Sequence, residues 1–357
     1  MKHIILYKDD GAYSCFPAIT KTKEGTLWVS FRRAGGFSLQ AVQEGKYDHV
    51  DKGARICLLR SKDGGESWSD GMVLPAFDSE RGEQDPSIQA LSDGTLMVNF
   101  FQWFVVPEGE KDRLKYPARQ QIDGSWADVE GPFVISSSDR GQTWGTDPVY
   151  VDSAPLPRGG TSDAVVELPN RDLMMGIYGA DYGSGVCRAY SVISHDKGNT
   201  WGEPALIAGD SDGKISFEEP AIALTPEGNL IAMMRSGESH KYQYLYQAFS
   251  HDLGKTWVEL EETPMWGHPA HVLKLSDSRM LCSYGYRREP FGIRACISQN
   301  GGKNWDIENE YILRQDGGSR DLGYPCSVEL DRGEILTVYY IHGEDGIRHI
   351  AGTRWEV

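Results

Sequence analysis

The sequence lacks long apolar runs, closely spaced cysteines and an excess of positive charge, and each of these absences excludes a class of protein. A membrane-spanning helix needs about 20 consecutive apolar residues, and no segment of the 357 residues provides them. The apolar N-terminal segment HIILY ends at Lys8, which is typical of a strand and not of a signal peptide. The formal net charge of −16 disfavours nucleic acids and anionic membranes as partners.

The six cysteines are scattered along the chain. No CxxC pair and no EF-hand-type loop is present, so the pattern indicates no bound metal and no cofactor. Most of the cysteines lie in apolar runs, where buried free thiols are the ordinary state. We therefore expect a disulfide-free, cytoplasmic protein. The cysteines are Cys15, Cys57, Cys187, Cys282, Cys296 and Cys326.

What the sequence does contain is a repeated turn of the pattern S-x-D-x-G-x-T-W, called the box turn below. The Asp carboxylate can accept hydrogen bonds from its own turn, the Gly permits a positive φ, and the Trp provides a large apolar plate. The pattern therefore predicts hairpin turns whose aspartates are structural and not catalytic. The copies are SKDGGESW from Ser61, SSDRGQTW from Ser137, SHDKGNTW from Ser194, SHDLGKTW from Ser250 and the degenerate SQNGGKNW from Ser298.

A second repeat has the pattern strand, Gly/Asp/Asn turn, strand, and it occurs six times. Each of the first five copies is followed by a third strand, a box turn and a fourth strand. No helical periodicity competes with this reading. The pattern predicts an all-β fold, a six-bladed β-propeller of four-stranded antiparallel blades with Asp-box turns. We expect one domain spanning residues 1–357, closed by HIILY in the last blade, with a polar insertion at about residues 102–126 of blade two.

Five of the six residues at the predicted starts of the innermost strands, which meet at one mouth of a propeller axis, are polar or ionisable. Reading round the blades, these residues are Phe16, Asp85, Asp163, Glu219, His268 and Tyr324. Arginines lie at the other ends of the same hairpins, namely Arg32, Arg33, Arg235 and Arg287. Arg158, in the segment PRGGTSD, is a further candidate. This collection of acids, bases and arginines predicts a functional site at the mouth.

Together, the box turns and the six hairpins resemble the sialidase superfamily of glycoside hydrolases, over essentially the whole chain. The resemblance implies a Glu at an inner-strand start and an Arg that closes its hairpin, which Glu219 and Arg235 match. It implies a second Arg just ahead of the fifth box turn, matched by Arg287 or Arg288. It also implies a Tyr at the start of the last inner strand, and Tyr324 in GYPCSVEL takes that place.

The loop before the third strand of blade one carries the acid that the resemblance implies. Asp51 fits the spacing, with Asp48 as the alternative, and His49 between them is a candidate binding residue. The chain departs from the family in one motif. Sialidases have a Phe/Tyr-Arg-Ile-Pro motif whose Arg completes a three-arginine clamp on the substrate carboxylate, and Cys15 stands at that position here. Arg32 or Arg33 is the candidate replacement.

These residue types suit one chemistry. A free Tyr titrates near pH 10, so a phenol needs a neighbouring carboxylate such as Glu219 to become a nucleophile, and sialidases are the retaining glycosidases that use Tyr. Arginines bind a carboxylate through bidentate bonds, and a separate acid protonates the leaving oxygen. We therefore expect an exo-acting hydrolase that removes a terminal acidic sugar (sialic acid, a related nonulosonic acid or a uronic acid) from an oligosaccharide or glycoconjugate.

Two other classes of function fit the same sequence. A lyase on this fold would eliminate the leaving group, with His268 or Tyr324 as the base. A non-catalytic carbohydrate-binding propeller would need no base and phenol pair. For single residues the alternatives are structural: Glu219 and Arg235 as an ion pair at the axis, and Tyr324 as a packed aromatic. The loop and mouth residues His49, Asp51, His268 and Arg158 are equally compatible with ordinary surface positions.

Overall fold

Six antiparallel sheets follow one another along the chain and close into a ring, which confirms the predicted six-bladed β-propeller. The computed structural model describes residues 1–35, 49–75, 77–114, 118–121, 123–156, 159–180, 185–237 and 244–357. Two of the candidate site residues, Asp48 and Arg158, lie outside these ranges.

The first strand, β1 (Lys2–Tyr7), belongs to the last blade. Blade one contains β2 (Ala12–Lys21), β3 (Leu27–Gly35), β4 (Ala54–Ser61) and β5 (Met72–Val73). Blade two contains β6 (Arg81–Ala90), β7 (Leu96–Val106), β8 (Arg119–Gln120), β9 (Trp126–Ser137) and β10 (Val149–Tyr150). Blade three contains β11 (Val166–Glu167), β12 (Leu173–Ala180), β13 (Cys187–Ser194) and β14 (Ala205–Ala208).

The second half of the chain repeats this arrangement. Blade four contains β15 (Ser216–Leu224), β16 (Leu230–Gly237), β17 (Tyr244–Ser250) and β18 (Val258–Trp266). Blade five contains β19 (Ala270–Lys274), β20 (Met280–Tyr286), β21 (Gly292–Ser298) and β22 (Tyr311–Arg314). Blade six contains β23 (Gly323–Asp331), β24 (Glu334–Ile341) and β25 (His349–Glu356), and β1 pairs with β25 from Lys2 opposite Arg354 to Ile5 opposite Ala351. The N-terminal strand therefore closes the ring, as the sequence predicts.

The hydrophobic core lies between neighbouring blades. In one cluster, Ile231 and Met233 of blade four pack with Val272 and Cys282 of blade five, and all four side chains are buried. Burial of such side chains on both faces of each sheet is what makes the blades depend on one another. All six cysteines are free thiols.

The box turns join the third and fourth strands of the blades that contain them. In blade two, Asp139 Oδ1 accepts hydrogen bonds from the Thr143 amide at 2.8 Å and from Ser137 Oγ at 2.7 Å. The box Trp reaches the preceding blade: Trp257 Nε1 of blade four donates to Ser191 Oγ of blade three at 2.9 Å. These contacts give the box residues a structural role away from the axis.

The insertion in blade two packs against its own blade. It contains a 3-10 helix (Glu108–Arg113) and the short strand β8, which pairs with β9. Lys111 Nζ lies 3.8 Å from the ring centre of Trp126, and Arg113 forms an ion pair with Glu80 at 2.6 Å. Among the described residues, no helix has the length and hydropathy needed to cross a membrane.

Candidate active site

A β-bulge interrupts the first strand pair in four of the six blades. The pairing shifts between Cys15 and Ala18, Gln84 and Ser87, Glu218 and Ala221, and Gly323 and Cys326. Inside each bulge a residue that precedes proline has a positive φ: 55° at Phe16, 47° at Asp85, 52° at Glu219 and 50° at Tyr324. This backbone is costly for any residue except glycine, and it re-aims the four side chains away from the regular ladder.

The corresponding residues of blades three and five, Asp163 and His268, are not among the residues with a positive φ. Asp163 accepts hydrogen bonds from the backbone amides of Ala164 and Ile222, and burial raises its pKa to about 7. Because Ile222 lies in β15 beyond Glu219, the carboxylate of Asp163 contacts the strand and not the Glu219 carboxylate. Only four of the six positions that the sequence treats as equivalent therefore share one geometry.

At the centre of the mouth, Tyr324 Oη donates a hydrogen bond to Glu219 Oε1. Burial, followed by the charges of Asp85 and Glu219, raises the pKa of Tyr324 well above its usual value. The phenol therefore keeps its proton at neutral pH, and the acceptor for that proton is already in contact with it. The sequence predicted this pair from two inner-strand starts that are far apart in the chain.

Arg235 lies against the same carboxylate. Its Nη1 is 3.3 Å from both Oε1 and Oε2 of Glu219, and its Nε is 3.6 Å from Glu218 Oε2. Burial alone would lower the pKa of Arg235, but the charges of Glu219 and Glu218 raise it above its usual value. The guanidinium is therefore a permanent positive charge beside the Tyr324–Glu219 pair.

Of the two arginines ahead of the fifth box turn, the structure brings only Arg287 to the mouth. Its guanidinium carbon lies 5.7 Å from the Tyr324 ring centre, and its Nε donates to the Leu322 carbonyl at 2.9 Å. Arg288 is exposed and stacks at 4.3 Å on the Trp266 ring, on the opposite face of the strand. Neighbouring residues of an extended chain point to opposite sides, which separates the two.

Arg32 and Arg33 are divided in the same way. Arg32 is fully buried, and its Nη1 lies 3.6 Å from Cys15 Sγ while its Nη2 donates to the His49 carbonyl at 2.7 Å. Arg33 instead forms an ion pair with Asp9 at 2.5 Å. Arg32 therefore lies beside the cysteine that replaces the clamp arginine, and Arg33 lies on the other face of β3.

Two buried groups of the mouth have strongly altered protonation. The pKa of Asp85 is raised well above its usual value by burial and by the charge of Glu219, against the opposing charge of Arg32. The pKa of His268 is lowered by burial and by the charges of Arg287, Arg235 and Arg320. Neither ring nitrogen of His268 has a hydrogen-bond partner within the described part of the chain. The mouth thus contains a carboxyl that retains its proton and an imidazole that stays neutral.

The two described candidates of the blade-one loop differ in their contacts. Asp51 is half-buried, and its Oδ1 accepts from the Gly53 amide at 2.6 Å, in the turn that leads into β4. His49 Nε2 lies 3.0 Å from Tyr13 Oη, and the imidazole centre is 5.3 Å from the Phe16 ring centre. His49 is therefore tied to the ring of mouth residues, whereas Asp51 is tied to its own turn.

Tyr178, Tyr340 and Asp321 also belong to the site, although the sequence does not single them out. Burial and the charges of Asp85 and Glu219 raise the pKa of Tyr178 well above its usual value, which places its hydroxyl near both carboxyls. Tyr340 pairs with Gly323, next to Tyr324.

The sequence contains a signal for Tyr178 and Tyr340, because each lies five residues after the first apolar residue of the second strand of its blade. Arg32 and Arg235 hold the same place in their blades. No comparable pattern marks Asp321.

The arrangement can activate a phenol, bind an anion beside it and supply a proton from a carboxyl group or from the His49 side chain. A metal is not needed for any of these steps. Within the described ranges, no group of three or more His, Cys, Asp or Glu side chains is placed to hold a metal ion.

Comparison with known proteins gives matches at the level of sequence and of structure. Residues 113–337 match the BNR repeat-like domain. A sialidase of Micromonospora viridifaciens is 25% identical over 224 residues, which is 58% of this chain and 32% of that enzyme. The match thus spans about a third of the length of the relative.

Several solved structures share the fold over the whole chain. A protein of unknown function from Dyadobacter fermentans has a TM-score of 0.89 and 31% identity, and the alignment covers 100% of this chain and 98% of that one. The α-L-arabinanase of Penicillium chrysogenum, solved with arabinobiose, has a TM-score of 0.70 and 12% identity, with 100% and 98% covered. At 12% identity, the second likeness concerns the fold alone.

Proposed function

The chain belongs to the BNR repeat-like domain family of the sialidase superfamily, and on this premise we propose that it is an exo-acting glycoside hydrolase that removes a terminal acidic sugar. The observation that carries the proposal is the hydrogen bond from Tyr324 to Glu219 at the mouth of the axis. A packed aromatic needs no carboxylate partner, and an axial salt bridge between Glu219 and Arg235 needs no phenol. The presence of both contacts on one carboxylate favours a nucleophile with its base.

In this proposal Tyr324 attacks the anomeric carbon while its proton passes to Glu219. A neutral nucleophile suits an anomeric carbon that bears a carboxylate, because an anionic nucleophile would be repelled by it. Arg235 and Arg287 stand on either side of the pair and would bind that carboxylate through charge-assisted hydrogen bonds. Sialic acid or a related nonulosonic acid, which carries its carboxylate on the anomeric carbon, is the first candidate substrate, and a uronic acid, which carries it on C5, is the second.

Among the described residues, two arginines at the mouth, Arg235 and Arg287, are available to bind the substrate anion. Cys15 takes the place of the third arginine, and burial raises the pKa of its thiol, so it supplies no charge. Arg32, beside it, is engaged by Cys15 and by the His49 carbonyl. The proposed pocket therefore holds a carboxylate less tightly than a three-arginine clamp, which leaves room for acidic sugars other than sialic acid.

Asp85 supports a second candidate function, hydrolysis of a neutral sugar by two carboxyl groups. Burial and the charge of Glu219 raise the pKa of Asp85 well above its usual value, and a carboxyl group with a raised pKa is the usual general acid of glycosidases that work with two carboxyl groups. In that case Glu219 would be the nucleophile or base, and Tyr324 would only orient it.

The test is a screen of 4-nitrophenyl sialosides, uronides and neutral glycosides, with the anomer of the product followed by NMR. The proposal expects cleavage of an acidic glycoside with retention, and at least about a 10³-fold loss of kcat in Tyr324→Phe with KM nearly unchanged. Tyr150→Phe, on the exposed outer strand of blade two, is the matched control.

The other outcomes identify the alternatives. Cleavage of a neutral glycoside that survives Tyr324→Phe but not Asp85→Asn would support the two-carboxyl mechanism. An unsaturated product would indicate a lyase. Tight binding of sugars by calorimetry without any turnover would indicate a carbohydrate-binding propeller.

A further inference from the structure

A second cluster of ionisable groups adjoins Tyr324 and converges on Asp321, three residues before it. Tyr13 Oη donates to Asp321 Oδ1 and Oδ2 at 2.7 and 2.6 Å, and Tyr340 Oη donates to Oδ1 at 3.0 Å. Arg348 Nε donates to Oδ2 at 2.8 Å. These donors come from blades one and six, so the carboxylate links the two blades at the point where the ring closes.

The environment of Asp321 keeps it ionised. Burial alone would raise its pKa, but the hydrogen bond and charge of His49, the charge of Arg348 and the Tyr13 hydroxyl hold the pKa well below its usual range. Hydrogen bonds to the charged form favour that form, so Asp321 is a fixed anion held by three donors.

His49 is the fourth group. Its Nε2 lies 3.6 Å from Asp321 Oδ1 and 3.0 Å from Tyr13 Oη. The His49 side chain is 42% exposed, against 23% for Asp321, so the carboxylate lies behind an imidazole that remains accessible. Buried Arg32 fixes the backbone of the same residue through the His49 carbonyl at 2.7 Å. Side chain and backbone are thus both held.

Phe16 connects the cluster with the nucleophile of the proposed mechanism. The Phe16 ring centre lies 5.3 Å from that of His49 and 4.5 Å from that of Tyr324. Phe16 is itself one of the four bulge residues at the mouth. A single aromatic ring therefore separates the imidazole from the phenol, and an accessible imidazole stands at the edge of the mouth.

We infer that His49, oriented by Asp321 and Tyr13, donates the proton to the leaving oxygen, an inference that rests on the glycoside hydrolysis proposed above. The family resemblance assigns this role to a loop aspartate, and Asp51 is the described candidate. Its carboxylate is engaged by the Gly53 amide in its own turn. His49 lies two residues earlier in the same loop and has the orienting carboxylate that a general acid requires.

The proton balance is complete with water as the only co-reactant. In the first step the bond between the anomeric carbon and the glycosidic oxygen breaks, and that oxygen takes a proton from the imidazolium of His49. The Tyr324 oxygen bonds to the anomeric carbon, and its proton passes to Glu219. In the second step water attacks the anomeric carbon and gives a proton to neutral His49, while the Tyr324 oxygen leaves and recovers its proton from Glu219.

The test uses two substrates that differ only in the leaving group, the 4-nitrophenyl and the methyl glycosides of sialic acid, or of the acidic sugar cleaved fastest in the screen. A good leaving group needs no proton, so the loss of the general acid does not slow cleavage of the aryl glycoside. His49→Gln keeps an amide that can bond Tyr13 and Asp321 but cannot transfer a proton. We expect the kcat/KM of this variant to fall about 10²–10⁴-fold on the methyl glycoside and about threefold or less on the aryl glycoside.

The controls separate this role from a structural one. Asp51→Asn should change kcat/KM for both substrates by the same factor. Asp321→Asn should lower kcat/KM selectively for the methyl glycoside, but by a smaller factor than His49→Gln does. His251→Gln, on an exposed box turn, should change neither. Melting temperatures show whether each variant is folded.

Two results overturn the inference and are distinguishable. In the first, Asp51→Asn loses activity selectively on the methyl glycoside, and His49→Gln loses activity equally on both substrates. This result would identify Asp51 as the general acid and would leave the proposed function intact. If the wild-type protein hydrolyses no aryl glycoside of any acidic sugar, the proposed function fails, and the role of His49 in it fails too.

Discussion

Arg235 Nη1 lies 3.3 Å from each carboxylate oxygen of Glu219, and Glu219 accepts a hydrogen bond from the Tyr324 hydroxyl. One carboxylate therefore connects the positive charge of the mouth with its phenol. The guanidinium orients Glu219 and, in the proposed mechanism, also faces the substrate anion. Its shape should matter as much as its charge.

Arg235→Lys should therefore be damaging although the charge is kept. An ammonium group cannot form two parallel bonds to a carboxylate, and a charge-assisted hydrogen bond is worth about 1.5–3 kcal/mol. We expect kcat/KM for the best acidic glycoside to fall about 10–100-fold. The matched control is Arg33→Lys, which lies on the face of β3 opposite to that of Arg32 and should leave the rate unchanged. Equal rates for wild type and Arg235→Lys would show that Arg235 does not bind the substrate.

Gly160 should be required for the position of Tyr178. A Cβ on residue 160 would lie 2.9 Å from Tyr178 Cζ and 3.2 Å from its Oη, so the ring must shift when an alanine is present. Misplacement by about 1 Å in a site can cost about 10²-fold in rate. We expect Gly160→Ala to lower kcat/KM by about 10–100-fold while the protein stays folded.

Gly343→Ala provides the control for this glycine, because a Cβ there meets no atom within 4 Å. This variant should behave as the wild type in both rate and melting temperature. If Gly160→Ala has normal kinetics, the hydroxyl of Tyr178 does not take part in substrate binding.

The box turns should make the fold sensitive to acid. Side-chain and backbone hydrogen bonds from the Thr four residues later lower the pKa of Asp139 and of Asp252 to about 2, from the ordinary 3.8. Because the folded pKa is the lower one, the stabilisation is complete above about pH 4 and is lost as the pH falls towards about 2. Asp139→Asn should melt slightly below the wild type at pH 7 and show a shallower decrease between pH 4 and 2.

Scanning calorimetry at several pH values measures both effects, and the rate at neutral pH should not change. An identical acid slope in wild type and Asp139→Asn would show that this turn does not contribute to the pH dependence. A selective loss of rate at an unchanged melting temperature would contradict the structural role of the box aspartates.

The sequence alone determined the fold, because its signals are local. Each box turn is specified by residues within eight positions of one another, as the bonds from Asp139 to Ser137 and Thr143 show. The hairpins repeat the same period-2 pattern, and their number and order predict the ring. The pairing of Tyr324 with Glu219 followed from the fold, because equivalent strand starts meet at one mouth.

The tertiary structure decided which of several neighbouring residues reach that mouth. Arg287 and Arg288, like Arg32 and Arg33, are adjacent in the chain, and a shift of one residue in register exchanges the faces of a strand. The bulges that set this register at Glu219 and Tyr324 carry no unique sequence mark, because His268 also precedes a proline but has no positive φ. The sequence does not predict Asp321 as a site residue, for a different reason. Its partners Tyr13, Tyr340 and Arg348 come together only when the first and last blades close the ring.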